Sequence, residues 1–538
     1  MTEAPSALRY DYIIVGAGSA GCVLAERLSR CGRHRVLLLE AGGADRNLWI
    51  KVPVGYAFTY GNAALNWGDH AAPDRALDGR AIYWPRGRVV GGSSSINAMA
   101  YVRGLPHDFD DWSRAGAAGW SWAEVRETYQ ALETRCDATG RRTGDGPVWV
   151  QDLSEQMHPF SSRFLEAAGA AGLGLTPDIN TEGAEGLGPY RSTVRNGRRW
   201  SAADAFLRPA LRRPNLTLVT RAEVRRLELE GGRVVGLRYV RHGKEWRPRA
   251  REVILSAGAL NSPQLLQLSG IGPAPVLREH GIEVRRALPQ VGEGLQDHLA
   301  LSWQFHTRER TLNAVLGRLS GRLRAGAAYA LRRRGPLSVP VNQIGGFVRS
   351  GPEATVPDLQ LFCNPASYEV TAAGQVVMDR RQGYLLSAQP CRPTSRGRIR
   401  IRSADPRVRP LIEANSLATS EDRSLAIRAS RVLQRLAATP ALASVTSGCK
   451  TEGFAAMDDA ALLAAFRARA STVFHPTCTC RMGAGAEDSV VDASLRVHGL
   501  AGVRVVDASV FPNITSGNTN APTLMLAMRA ADLILRDG

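Results

Sequence analysis

Short apolar runs punctuated by glycine open the chain. Tyr12-Ile13-Ile14-Val15 is followed by a glycine-rich turn, by helical spacing over 22–29, and by Val36-Leu37-Leu38-Leu39 ending in Glu40. Continuous apolar runs of this length suit strands covered on both faces, as in a parallel sheet, so the pattern predicts a βαβ unit. Further strands are predicted at 216–219, 234–239, 253–255 and 503–506, with a closing helix at about 522–535. Residues 42–110, rich in glycine and aromatics with little periodicity, read as extended segments over a ligand. Residues 301–470 mix strand-like runs, such as 359–363, with alanine- and arginine-rich helices. No repeat or low-complexity linker divides these regions. The pattern predicts one domain built from both ends and the middle of the chain, with a second inserted into it.

The turn after the first strand reads Gly16-Ala17-Gly18-Ser19-Ala20-Gly21, a G-x-G-x-x-G, and Glu40 follows nineteen residues after Gly21. In a dinucleotide-binding unit the first glycine makes the tight turn and the second admits the pyrophosphate to the backbone. The third lets helix and strand pack closely. The helix N-terminus then offers free N–H groups to the phosphates, and the acid accepts from the ribose hydroxyls. A glycine-rich turn alone could be merely structural; strand, helix and acid in register favour a dinucleotide. The unit does not distinguish NAD from FAD.

Composition narrows the reading. The 538 residues allow large cores, and no run of about 20 apolar residues is present. Residues 1–9 lack the basic-then-apolar pattern of a signal peptide, so a cytoplasmic location is the default expectation. Eight cysteines scattered through a long chain are expected as thiols. Cys478 and Cys480 form C-x-C near His475, without the second cluster that a zinc site needs, and read as packing residues. The formal charge is +18, yet only Lys51, Lys244 and Lys450 are lysine. The arginines are dispersed and form no nucleic-acid module, so no nucleic-acid partner is expected. One basic amphipathic stretch, 312–334, places Leu312, Val315, Leu316, Leu319 and Leu323 on one side. It reads as a substrate-domain helix with a solvated basic face, a membrane-surface helix being the alternative.

Four further segments carry chemistry. Gly87-Arg88-Val89-Val90-Gly91-Gly92-Ser93-Ser94-Ser95-Ile96-Asn97-Ala98-Met99 offers bare backbone and hydroxyl donors to a flat ring or phosphate. Residues 258–272 read as a strand exit, a helix started by Pro263 and a glycine stop. Val473-Phe474-His475-Pro476 precedes the C-x-C run, and Val505-Val506-Asp507-Ala508-Ser509 leads to Ser516-Gly517-Asn518-Thr519-Asn520.

In this order, from about Asp11 to Leu535, these segments resemble the glucose–methanol–choline family of FAD-dependent oxidoreductases, and the coda resembles its choline-dehydrogenase-like branch. The resemblance implies an α/β fold, a Rossmann-type FAD-binding domain interleaved with an α+β substrate-binding domain (antiparallel sheet plus helices). The implied FAD domain takes 1–155, 190–300 and 471–538, and the substrate domain takes 156–189 and 301–470. FAD would contact Gly16, Gly18, Ser19, Ala20, Gly21, Glu40, Ala41, Trp67, Arg88, Gly91, Gly92 and Ser93. It would also contact Asn97, Ala98, Met99, Val224, Ala257, Asp507, Ala508 and Thr519. Where some relatives attach FAD through a histidine, this chain has Ile96, so non-covalent FAD is expected.

The resemblance further implies His475 as catalytic base with Asn518 as partner. Histidine suits removal of a hydroxyl proton near neutral pH while hydride leaves carbon for flavin N5. Choline-oxidising members carry a glutamate where Asn342-Gln343-Ile344 places Gln343, so a neutral aliphatic or aromatic primary alcohol is expected over choline. Val473 matches a small apolar position that favours oxygen reactivity in some relatives, but a dehydrogenase passing electrons to a quinone or other carrier is preferred to an O2-using oxidase. Three rivals share the fold: a hydroxynitrile lyase, a fatty-acid photodecarboxylase using a cysteine near Cys391-Arg392-Pro393, and a colourless NAD-binding or structural protein.

Overall fold

The computed structural model describes residues 9–371 and 374–537; residues 1–8, on which most of the leader reading rests, lie outside that range. Two sheets organise the chain. The first has a parallel core, in the spatial order Leu216–Thr220, Val36–Glu40, Arg9–Val15, Arg249–Leu255, and Val503–Val505 also pairs with Arg249–Leu255. An antiparallel arm, Arg233–Arg241 and Glu223–Glu230, extends it. Val36–Glu40 is buried at every position, because helices cover both faces of a parallel core. Register aligns Val15 with Leu39 and with Leu255, so Gly16, Glu40 and Ser256 emerge at one carboxyl edge. Ligands of open α/β sheets bind at that edge.

The second sheet is antiparallel, in the order Thr446–Cys449, Leu299–Thr307, Gly383–Pro390, Leu359–Asn364, Ile344–Val348, Gly186–Pro189. Helix Ser420–Ala437 packs on it, capped by the Thr419 side chain and carrying Glu421 and Asp422 in its first turn, where acids favour the N-terminal dipole. This is the predicted combination of a doubly covered parallel sheet and an antiparallel sheet with helices. Helix Ser19–Ser29, which carries the fingerprint, lies against the closing helix Asn520–Asp537.

Several local expectations are corrected. Residues 42–110 are not simply extended: they contain the helical turns Leu48–Lys51, Pro53–Gly55, Tyr56–Thr59 and Gly92–Ser95. Pro263 does not start its helix, which spans Gly258–Leu268. Proline leaves the carbonyl four residues earlier without its N–H partner. The Thr479 hydroxyl donates to that carbonyl, Ala259 O, at 2.7 Å. Val473 and Phe474, directly before His475, lie in no strand; the strand ahead of them is the two residues Ser471–Thr472.

The stretch 312–334 breaks into Asn313–Leu316 and Leu319–Arg332. Leu312 and Leu316 are buried, whereas Leu319 and Leu323 face solvent. Among the described residues no helix is long and apolar enough to cross a membrane.

Candidate active site

A cavity of about 1380 Å³ runs from the carboxyl edge of the parallel sheet to the antiparallel sheet. One end is lined by Gly16, Gly18, Ser19, Ala20, Glu40, Ala41, Val224, Ala257, Gly92 and Ser93. Trp67, Asn97, Ala98, Met99, Asp507, Ala508 and Thr519 also line it. Gly21, Arg88 and Gly91 do not. Gly21 is a packing position, since a Cβ there would sit 1.8 Å from Gly16 O. Arg88 stacks on Trp67, 4.6 Å from its ring centroid, and reaches Glu223 at 3.6 Å. The Gly91 N–H donates to Ala17 O at 2.7 Å, which clamps the serine-rich turn to the fingerprint.

Two features fit this end to a dinucleotide. Gly92 has φ +54°, and a Cβ on it would come within 2.7 Å of the Gly18 Cα, so bare backbone from two distant motifs forms one trough. The Glu40 carboxylate accepts from Ala17 N at 2.9 Å and Gly42 N at 2.8 Å, which aims it along the cavity wall. Burial pushes its pKa up to about 7.

At the other end stand His475 and Asn518, with Nε2 and Nδ2 3.1 Å apart. His475 has neighbours that sequence reasoning missed. His475 Nδ1 lies 3.0 Å from Nδ1 of His298, whose Nε2 lies 2.7 Å from Cys391 O. A carbonyl only accepts, so the network assigns the proton of His298 to Nε2. Its Nδ1 then accepts the Nδ1–H of His475, which leaves the His475 Nε2 lone pair facing the cavity, where it accepts from Asn518 Nδ2. Burial, then His298 and Arg86, push the His475 imidazole well below its ordinary pKa; burial pushes His298 down to about 4.

The backbone around His475 is held as tightly. Phe474 adopts φ +70°, an uncommon conformation for a side chain of this size. Arg86 Nη2 donates to Phe474 O at 2.6 Å, Phe474 N to Thr472 Oγ1 at 2.8 Å, and His475 N to Asp297 Oδ1 at 2.8 Å. Burial pushes the Asp297 carboxyl up to about 6. Asn518 Oδ1 faces Gln360 Nε2 at 3.4 Å, and Gln360 Oε1 accepts from Gln389 Nε2 at 2.9 Å, which turns the Asn518 amide nitrogen towards His475. Arg199, fully buried, donates from Nη1 to Asn97 Oδ1 at 2.6 Å. The only sequence signal for these partners was the burial-prone strand pattern, which says nothing about a polar side chain's role.

Gln343 needs correction. It does not line the cavity; its Oε1 accepts from His158 N and Ser161 Oγ, both at 2.8 Å. Cys391, proposed for the photodecarboxylase rival, is buried in an apolar cluster away from the lining. Cys478 and Cys480 are buried in the main core. The carboxylates that do line the cavity are Glu40, Glu223, Glu369 and Asp507, each engaged elsewhere. Glu223 approaches Arg88 and Arg225, Glu369 pairs with Lys450, and Asp507 is held by Ser262 and Gly258 N. The rest of the wall mixes apolar and aromatic residues, Tyr60, Val341, Phe362, Tyr368, Leu385 and Val473, with arginines that include Arg86, Arg409 and Arg469.

A dinucleotide trough that ends at a histidine–asparagine pair over an apolar chamber defines the class, a flavin-dependent oxidoreductase of alcohols. The chain belongs to the GMC oxidoreductase family, whose N-terminal model matches residues 10–300 and whose C-terminal model matches residues 393–527. It is 41% identical over 533 residues to an alcohol dehydrogenase [acceptor] of Pseudomonas putida, covering 98% of this chain and 96% of that protein. It is 42% identical over 539 residues to the mitochondrial choline dehydrogenase of Homo sapiens, covering 98% and 89%. Among solved structures it is similar to pyridoxine 4-oxidase from Mesorbium loti, with TM-score 0.88, 32% identity and coverage of 98% and 99%. It is an FAD-dependent enzyme acting on CH–OH donors.

Proposed function

We propose that this enzyme oxidises a neutral primary alcohol, aliphatic or aromatic, to the aldehyde, with His475 as base and Asn518 as its partner. The observation that carries the reading is the His475 Nε2–Asn518 Nδ2 pair on the cavity wall, with the other ring nitrogen of His475 already committed to His298. FAD, when bound, supplies the hydride acceptor. The hydroxyl enters between the two nitrogens. Asn518 Nδ2 donates to its oxygen, and His475 takes its proton at Nε2. A base held in that tautomer contributes about 10²–10⁴-fold to the rate. Because burial keeps His475 neutral at rest, no resting proton blocks the step.

The parallel-sheet half, residues 1–155, 190–300 and 471–538, holds FAD on this reading, and residues 156–189 and 301–470 shape the chamber. Ile96 lines the cavity and has no nucleophile to bond a flavin, which supports non-covalent attachment. The neutral substrate is supported by a chamber whose every carboxylate is engaged. Electrons pass to a quinone or other carrier, as the acceptor wording of the Pseudomonas relative suggests. Choline is the second reading, favoured by the choline dehydrogenase relatives and by aromatic rings able to face a quaternary ammonium.

Anaerobic addition of benzyl alcohol, 1-octanol and choline to the holoenzyme tests this. The neutral alcohols should bleach the flavin absorption at least tenfold faster than choline at equal concentration, about 1.4 kcal/mol of preference. The reverse order would transfer the assignment to choline. Bleaching by none of them would move it to the lyase. Rapid recolouring in air would mark an oxidase.

A further inference from the structure

Helix Leu319–Arg332 carries apolar residues on two opposite sides. Gly321, Ala325 and Tyr329 form the buried side, while Arg322 and Gly326 next to it line the cavity. At 100° per residue, Leu319, Ala330, Leu323, Ala327 and Leu331 fall in a sector about 120° wide, centred opposite the buried side. Leu319, Leu323 and Leu331 are 74%, 66% and 84% exposed. This sector therefore belongs to no core of the chain. Arg324 borders it, Ser320 falls within it, and Arg318, Arg332, Arg333 and Arg334 cluster at the helix ends. No aspartate or glutamate lies between Glu309 and Glu353.

The surroundings repeat the pattern. Phe58, on the turn Tyr56–Thr59, is 55% exposed; Val370 and Val377, on strands Tyr368–Val370 and Val376–Met378, are about half exposed. All three line the cavity. Exposed apolar side chains thus recur along the same cavity lining that Arg322 and Gly326 of the basic helix share, and scattered single residues would need no such account.

We propose that this face is a membrane-docking surface, with the leucines of Leu319–Arg332 inserted among anionic phospholipids and its arginines against their headgroups. A leucine sector flanked by arginine, with no acidic residue over more than forty positions, complements an anionic bilayer on both counts. An acidic protein groove would satisfy the arginines but gives no reason for the half-exposed apolar residues Phe58, Val370 and Val377. Docked this way, the cavity opens at the bilayer surface, where apolar alcohols are concentrated. The assignment does not depend on which alcohol is oxidised.

Flotation of the FAD-loaded enzyme with vesicles of phosphatidylglycerol and phosphatidylcholine tests it. Because the whole chain carries +18, charge alone could bring it to an anionic surface, so the decisive variant keeps every arginine. Leu319→Ser/Leu323→Ser/Leu331→Ser should lower the vesicle partition coefficient at least tenfold while leaving turnover of a water-soluble alcohol unchanged. Arg324→Gln/Arg333→Gln/Arg334→Gln should weaken binding to anionic vesicles and steepen its loss with salt. Equal partition of the leucine variant and the parent would overturn the proposal, as would no binding of the parent at low salt. A parent that sediments as a dimer, with the leucine variant a monomer and neither floating, would assign the face to a second copy instead.

Discussion

At one end of the cavity the lining is backbone, and at the other it is side chains. The trough from Gly16 to Gly92 is made by removing side chains, so that Gly18 and Gly92 nearly touch and helix Ser19–Ser29 presents its N-terminus. The chamber beyond Asn97 is made by adding them: His475, Asn518, His298, Gln360 and Arg86 converge from separate segments and fix one another's orientation. The first arrangement tolerates no addition and the second no removal. A trough of this kind recognises what all dinucleotides share, whereas a chamber of interlocked side chains can be retuned for a new alcohol without disturbing it.

That contrast can be broken most severely at the proposed base. His475→Ala should leave FAD bound, read from the flavin spectrum, while turnover of the alcohol falls about 10²–10⁴-fold. Near-normal turnover would remove His475 from the reaction. The reciprocal substitution lies in the packing directly beneath the trough. Gly21→Ala puts a methyl 1.8 Å from Gly16 O, and the protein should purify without flavin or not fold. A yellow, active Gly21→Ala enzyme would show that the trough has slack.

The relay behind the base sharpens the comparison further. His298→Leu should lower kcat/KM about tenfold, the value of one hydrogen bond, and His298→Gln should recover part of it. Burial holds His475 below its ordinary value, so the wild-type acid limb of kcat/KM lies below about 6.5. His298, at about 4, is neutral in that range and accepts from the His475 Nδ1–H, which steadies the imidazolium. Losing that acceptor in His298→Leu should move the limb further down, and His298→Gln should restore part of the shift. A limb that stays in place would reduce His298 to packing. The smallest effect is expected at Thr479→Val, which strands the Ala259 carbonyl beneath Pro263. Urea unfolding should show a loss of about 1–3 kcal/mol with no change in the kinetics of the alcohol reaction.

The sequence is most legible where function depends on local spacing. The fingerprint, Glu40, the serine-rich turn and the His475–Asn518 segments are short motifs whose residue types suit contact with a phosphate, a ribose or a hydroxyl. The structure brings them to one cavity. Legibility ended where partners meet across long separations. His298 and His475 are 177 residues apart, and Arg199 and Asn97 are 102 apart. Nothing in the spacing around Gln360 or Gln389 distinguishes a buried amide that orients Asn518 from one that satisfies a strand. Gln343 misled for the related reason that a position in a short alignment says which strand a side chain leaves but not which face. The leucines at 319 and 323 misled because Gly317 and Arg318 break the helix, which rotates the second segment and turns an inward stripe outward.

The contact between the fingerprint helix and the closing helix also sets a schedule. Ser19 Oγ donates to Asn520 Oδ1 at 2.8 Å across 501 residues, and Val503–Val505 adds its strand to the same parallel core. The fingerprint helix is synthesised about 500 residues ahead of its neighbour in the closing helix. At about 5–20 residues per second, roughly half a minute to a minute and a half separates the two. Throughout that interval the nascent chain carries an apolar helix face and sheet edge without their native cover. A chain ordered in this way is expected to lean on chaperones during synthesis and to gain from FAD supplied before release.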